Sequence, residues 1–234
     1  MMVLSEFDAD RDLGQNGKIK SFVNPYSMKF FLNDETSNEI EFYSDGILTS
    51  IIFSLYFLKI VKRCSFDETS LAPKIYRASL ERGLSISFIG GSSSEIELFS
   101  KKITEEYGCL NISYCRDGFF SKHDFSYVAE EIVNSGARVC VVGMGTPLQE
   151  QFSLFLIRYG FSGVVYTCGG YISQTALSGS VQYYPTIIDQ LNLRFLYRFY
   201  KEPHTRKRYL VDYPVNIVKL LYLWVMRKVK LRLK

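Results

Sequence analysis

Between Gly83 and Gly170 the chain repeats one pattern: a short β-branched apolar run that ends in glycine, then a charged amphipathic stretch. GLSISFIGG is followed by SEIELFSKKITEEYG, CLNISYCRDG by HDFSYVAEEIVNSG, ARVCVVGMG by PLQEQFSLFLIRYG, and GVVYTCGG closes the series. Strands that are apolar on both faces, separated by helical stretches long enough to serve as crossovers, imply βαβ units. The pattern therefore predicts an α/β fold whose parallel sheet is covered by helices on both sides.

The segments before this core are less regular. NPYSMKFFLND reads as a short helix with Asn24 as N-cap and Pro25 at its first position, and IEFYSDG as a strand ending in a turn. ILTSIIFSLYFLKIVKR reads as a strongly apolar helix. Its uninterrupted run from Ile47 to Leu58 is about 12 residues, whereas a membrane span needs roughly 18 or more, so a buried helix is expected. The opening MMVLSEFDADRD is acidic, has no apolar core and does not read as a signal peptide. Five cysteines without CxxC spacing, mostly in apolar segments, read as reduced thiols of a cytoplasmic protein.

In a parallel sheet, ligands bind outside the carboxyl ends of the strands. Four loops there carry turn residues: Ser44-Asp45-Gly46, Gly90-Gly91-Ser92-Ser93-Ser94, Gly143-Met144-Gly145-Thr146-Pro147 and Cys168-Gly169-Gly170. Glycines let backbone approach a ligand, and a helix start presents free N–H groups to an anion; glycines also simply end strands. Ser94 and Glu97 fit a capping box. Neither GxGxxG nor GxxxxGK[ST] is present, so a dinucleotide or ATP site is not signalled. Asp45 fits both a general base and an Asp-Gly turn. Gln149 and Glu150 can reach a ligand or favour the helix dipole. His123 and His204 are lone, which argues against zinc.

Charge is unevenly spread. From Pro185 onward there are 12 Lys+Arg against 3 Asp+Glu, and the remainder holds 16 against 21. This divides the chain into a Rossmann-like domain over 1–184 and a basic helical appendage over 185–234. Within the appendage Val215, Val218, Leu221, Tyr222 and Val225 recur at helical spacing beside Trp224, with Lys219, Arg227 and Lys228 among the charges. An interfacial helix on an anionic membrane fits, as does a last helix packed on the core with a solvated basic end. No nucleic-acid motif accompanies the charge.

Phe88-Ile89-Gly90-Gly91, Asp117-Gly118-Phe119-Phe120, Ser135-Gly136-Ala137 and the run Val142 to Glu150 (VGMGTPLQE) resemble, in order and spacing, the WecG/TagA/CpsF glycosyltransferases (glycosyltransferase family 26). That family shows strand-GG, a GYF-like loop, SGA and VGLGxPKQE. Asn24-Pro25, Ser44-Asp45-Gly46, Cys168-Gly169-Gly170, Leu196-Tyr197-Arg198, Glu202-Pro203 and Arg208-Tyr209 match as well, so the likeness spans about residues 20–215.

The resemblance implies an inverting transferase in cell-surface polysaccharide synthesis, acting on the inner face of the cytoplasmic membrane. It would move N-acetylmannosamine, its uronic acid or another hexose from a UDP donor to a polyprenyl-diphosphate-linked saccharide. No cofactor or metal is implied beyond the UDP-sugar substrate, and a homo-oligomer is compatible with it. Asp45 matches the catalytic base. Asn24, Gly90, Gly91, Phe120, Gly143, Gly145, Pro147, Gln149, Gly169 and Gly170 match positions around the donor. Arg206 and Arg208 match the appendage arginines that meet diphosphates, and the appendage itself would contact the membrane. Leu148 and Phe152 depart from the Lys and Trp usual there. A non-catalytic nucleotide-binding module with a docking tail is the alternative, and it would not need a carboxylate base.

Overall fold

The structure is a computed structural model that describes residues 1–234 except 33, 180, 182, 184, 186, 189–192, 204, 229 and 230. His204 therefore lies outside the described residues. In chain order the strands are β1 (Met2–Val3), β2 (Lys18–Val23), β3 (Ile40–Ser44), β4 (Ile86–Gly90), β5 (Ile112–Arg116), β6 (Val139–Gly143), β7 (Val164–Thr167) and β8 (Arg232–Leu233). The helices are α1 (Ala9–Leu13), α2 (Ile47–Phe57), α3 (Ala72–Glu81), α4 (Ser93–Tyr107), α5 (Phe125–Asn134), α6 (Leu148–Tyr159), α7 (Tyr171–Leu177), α8 (Arg194–Lys201), α9 (Thr205–Lys207) and α10 (Tyr213–Val225). The fold is α/β, as the alternation predicts, and every described strand pairing is parallel.

The chain forms two compact units, each discontinuous in sequence: a larger one of Phe7–Ser21 and Phe66–Tyr183, and a smaller one of Met1–Glu6, Phe22–Ser65 and Tyr184–Lys234. The basic segment is thus part of the smaller unit, because β8 pairs with β1 (Met2 opposite Arg232) and α10 buries Leu220 and Leu223.

In the larger unit the strands lie in the order β5-β4-β6-β7-β2. Leaving β4, the chain passes through α4 to β5 on one side; leaving β5, it passes through α5 to β6 on the other. The order therefore reverses between β4 and β6, which opens a crevice beyond their carboxyl ends. Both strands are almost wholly buried, which explains their continuous apolar runs. Tyr76, Phe88, Phe99, Tyr107 and Tyr171 pack edge to face beside the sheet, with centroids 5.0–5.9 Å apart. Phe120, Phe125, Phe152 and Phe155 form a second cluster. Phe152 takes this packing role where the resemblance leads one to expect Trp.

In the smaller unit β3 pairs with β1 and β1 with β8, and Lys234 closes an ion pair of 2.7 Å with Glu41. Three expectations are corrected here. NPYSMKFFLND forms a 3-10 turn over Ser27–Phe30, because the Asn24 side chain accepts from the Tyr26 and Ser27 amides and delays the helical start. The capping box is built by Ser92 and Glu95, two residues before the expected pair, because β4 ends at Gly90. Finally, α2 stops at Phe57, with Leu58 left-handed at φ 52°. Ser54 accepts from the Val61 amide and Ser50 donates to the Val61 carbonyl, which turns the chain back to place Cys64 against Ser44. The helix is not buried: Thr49, Ser50 and Phe53 face inward, while Ile47, Leu48, Ile51 and Leu55 are exposed.

Beneath the first aromatic cluster lies a buried carboxyl. Glu68 accepts from the Tyr171 hydroxyl at 2.5 Å and the Tyr107 hydroxyl at 2.7 Å, and Tyr171 is 3.3 Å from the Tyr76 hydroxyl. Burial raises the Glu68 carboxyl above its ordinary 4.5, more than the hydroxyl bonds lower it. The native protein therefore holds a proton that the unfolded chain releases first. The stability involved is complete below the unfolded value and is lost as pH rises through the folded one. Urea unfolding at several pH values should show Glu68→Gln with a flatter loss of stability above about pH 4.5 than the parent. An unchanged slope would place the titration elsewhere.

Candidate functional site

The larger unit gathers the glycine loops at the switch between β4 and β6. Gly90 pairs in register with Gly143, and a Cβ on Gly90 would sit 2.5 Å from the Gly143 oxygen. A Cβ on Gly143 would meet Cys168 Sγ at 2.8 Å and the Gly169 oxygen at 2.9 Å, and one on Gly118 would meet Gly90 Cα at 3.0 Å. The structure thus brings Gly90, Gly143 and Gly169 together as the sequence suggests. It adds Gly118, quoted in the sequence pattern but not singled out as a site residue. By contrast, a Cβ on Gly145 or Gly169 would meet nothing within 4 Å. These two glycines have φ of +76° and +56° and present bare backbone to open space.

Helix starts follow directly. Ser92 caps α4, and Glu95 accepts from the Ser92 amide at 2.7 Å, which holds its carboxyl below the ordinary value. Pro147, joined to Thr146 by a cis peptide, precedes α6, and Gly170 precedes α7. Gly91 sits tightly against Glu95. Phe120 lies inside the second aromatic cluster, with the Arg116 guanidinium 5.3 Å from its ring centroid, while its neighbour Phe119 is exposed.

Gln149 and Glu150 are both buried and tie the loops together. Gln149 Oε1 accepts from the Gly169 amide at 3.1 Å, and its Nε2 donates to Thr146 Oγ1 at 3.2 Å and to Glu150 Oε1 at 2.8 Å. Glu150 Oε1 also accepts from Ser21 and, at 3.3 Å, from Thr146. Glu150 Oε2 has no hydrogen-bond partner among the described residues, and burial pushes this carboxyl up. The amide side chain therefore fixes the loop after β7 to the loop after β6.

The smaller unit holds the carboxylate. Asp45 follows β3; its amide donates to the Val23 carbonyl at 2.9 Å, and Thr49 Oγ1 donates to its carbonyl at 2.8 Å. Because Asn24 Oδ1 is held by the Tyr26 and Ser27 amides, its Nδ2 is directed at Asp45 Oδ2, 3.3 Å away. The Arg208 guanidinium stacks over Tyr26 at 4.3 Å. Tyr209 and Tyr213 are half-buried and raised chiefly by desolvation, and both feel the charges of Asp45, Arg198 and Arg208. Arg206 donates to the Phe199 carbonyl at 3.0 Å. The sequence pattern carries Arg198 and Tyr209 without assigning them to Asp45. Tyr213 joins them because a π turn over Arg208–Asp212 brings the Tyr209 and Tyr213 rings to 5.0 Å. No group of three or more His, Cys, Asp or Glu among the described residues could hold a metal ion.

The profile of the Glycosyl transferase WecG/TagA/CpsF family matches residues 38–230. The chain belongs to this family of glycosyltransferases. It is 33% identical over 205 residues to a UDP-Gal:alpha-D-GlcNAc-diphosphoundecaprenol beta-1,4-galactosyltransferase of Shigella boydii, covering 87% of this chain and 85% of that protein. All four glycine loops and Asp45 fall within the family match or its flanks, and Asn24 precedes it.

Replacing Gln149 with Leu should leave the Gly169 amide without its acceptor. The expected cost is about 1–3 kcal/mol, the usual consequence of removing a partner from a buried polar group, because the buried Glu150 Oε1 loses its Gln149 donor as well. Chemical denaturation of the variant checks this; a loss below that range would mean that the two loops hold their places without Gln149.

Proposed function

We propose that the protein transfers a hexose, with inversion, from a UDP donor to a saccharide carried on a polyprenyl diphosphate at the inner face of the cytoplasmic membrane, in cell-surface polysaccharide synthesis. The relative from Shigella boydii uses UDP-Gal and a GlcNAc-diphosphoundecaprenol, so galactose is the first donor to test, ahead of N-acetylmannosamine and its uronic acid. The observation that carries the reading is the open, side-chain-free backbone at Gly145 before α6 and at Gly169 before α7, the Gly169 amide itself being held by Gln149. Backbone N–H groups at such starts bind phosphate oxygens, which suits the UDP diphosphate.

In this reading Asp45 takes the proton from the acceptor hydroxyl, whose oxygen attacks the anomeric carbon. The bond from that carbon to the β-phosphate oxygen breaks, and UDP leaves. Asn24 directs the carboxylate through its Nδ2 contact. Arg206 and Arg208 are proposed to offset diphosphate charge, helped by Arg198, while α10 and the basic residues that follow it meet anionic lipid. No helix among the described residues is long and apolar enough to cross a membrane, so attachment would be through such surface contacts.

Two outcomes test this. Asp45→Asn should keep UDP affinity and lower kcat by about 10²–10⁴-fold, the usual contribution of a positioned base; near-parental turnover would reduce Asp45 to a turn residue. Gly145→Val should weaken UDP binding in calorimetry by at least about tenfold, as roughly 1.4 kcal/mol of lost contact requires. Unchanged affinity in the folded variant would remove this loop from the donor site.

A further inference from the structure

Helix α2 is built inside out. Its hydroxyl residues Thr49 and Ser50 are buried with Phe53, and Ser54 is turned to the Val61 amide. Ile47, Leu48, Ile51 and Leu55 are exposed instead, and the chain end beyond the helix presents Leu58 and Ile60 at 89% and 81% exposure. Soluble proteins rarely leave so continuous an apolar face uncovered. Two features say what covers it. Tyr56 on α2 packs against Trp224 on α10 at 5.1 Å, within the same unit, and α10 likewise exposes Val218, Leu221, Tyr222 and Val225. The polar residues edging this surface are cationic: Lys59 follows Leu58, while Lys219, Arg227 and Lys228 edge α10, all exposed. An apolar face bordered by cations and an aromatic pair matches the interface of an anionic bilayer.

We propose that α2, with the Leu58–Ile60 tip, is a second lipid-contact element that enters the membrane beside α10. The proposal rests on the reading that the enzyme works at a membrane, and goes beyond it by placing the insertion outside the basic C-terminal segment. Lys219 on α10 and the cations that follow the helix draw the protein to the surface through a salt-sensitive attraction. The side chains of α2 then add a salt-insensitive apolar contribution.

The test uses the full chain and phosphatidylcholine vesicles that contain phosphatidylglycerol. Trp224 is the sole tryptophan, so Trp224→Phe combined with Leu55→Trp leaves one fluorophore on α2. Brominated lipids in these vesicles should quench it, and insertion into the apolar interface should shift its emission to the blue. In a separate pair of variants, Leu55→Asp and Leu58→Asp should each weaken vesicle binding by roughly tenfold, the effect of one lost buried leucine, at both low and high salt. Circular dichroism should match the parent, since both side chains already face solvent. An unquenched fluorophore on vesicle-bound protein would overturn the proposal. So would sedimentation showing a dimer that Leu55→Asp dissociates, because the face would then belong to a second copy. UDP affinity, measured on the same variants, separates these outcomes from failure of the transferase reading: it should be unchanged, and its absence in the parent would sink that reading without deciding where α2 lies.

Discussion

The carboxyl ends of four strands in the larger unit approach so closely that side chains are excluded. A Cβ at Gly90 would lie 2.5 Å from the Gly143 oxygen, and one at Gly143 would lie 2.9 Å from the Gly169 oxygen. Everything near this point adapts to that packing. The ends of β4 and β6 can carry only glycine at the contact, and the loops after β4, β6 and β7 each run directly into a helix, α4, α6 or α7. The result is a wall of backbone at the place where strand order reverses, which is where open parallel sheets bind ligands.

Such a wall needs fastening, since glycine backbone is the most mobile kind. Gln149 and Glu150 supply this through hydrogen bonds to the Gly169 amide, Thr146 and Ser21. Burying a carboxyl is costly unless it is bonded, and Glu150 and Glu68 are both displaced toward the neutral form. The protein accepts two buried carboxyls in one unit, one under the loops and one under the aromatic cluster that includes Tyr171 of α7. In the smaller unit the carboxylate is treated differently. Asp45 is only partly buried and is met by an amide whose orientation the 3-10 turn sets.

The alternation of glycine-ended apolar runs with helical stretches was readable in the sequence because a parallel strand buried on both faces leaves an unbroken apolar signature. The glycine loops were readable for the same reason, and their convergence followed from the topology rule. Other features left no such trace. Helix α2 is apolar around most of its circumference, so its residues give no period from which to read the face that is turned outward; two serines that hold Val61 decide it. Both Ser92 with Glu95 and Ser94 with Glu97 satisfy the same spacing, and only the end of β4 chooses between them. Strands β1 and β8 are two residues each, too short to signal that the chain termini join in one unit. Tyr213 reaches the surroundings of Asp45 through a π turn that no residue pattern announces.

The central claim is that this chain moves a hexose from UDP with inversion. The most direct measurement is NMR of the reaction of UDP-galactose and related UDP-hexoses with a short-chain lipid-diphosphate saccharide. Inverting transfer requires release of one UDP per linkage formed and a product whose anomeric proton shows the configuration opposite to that of the donor. A product of retained configuration, or no UDP released from any donor in the presence of acceptor, would contradict it.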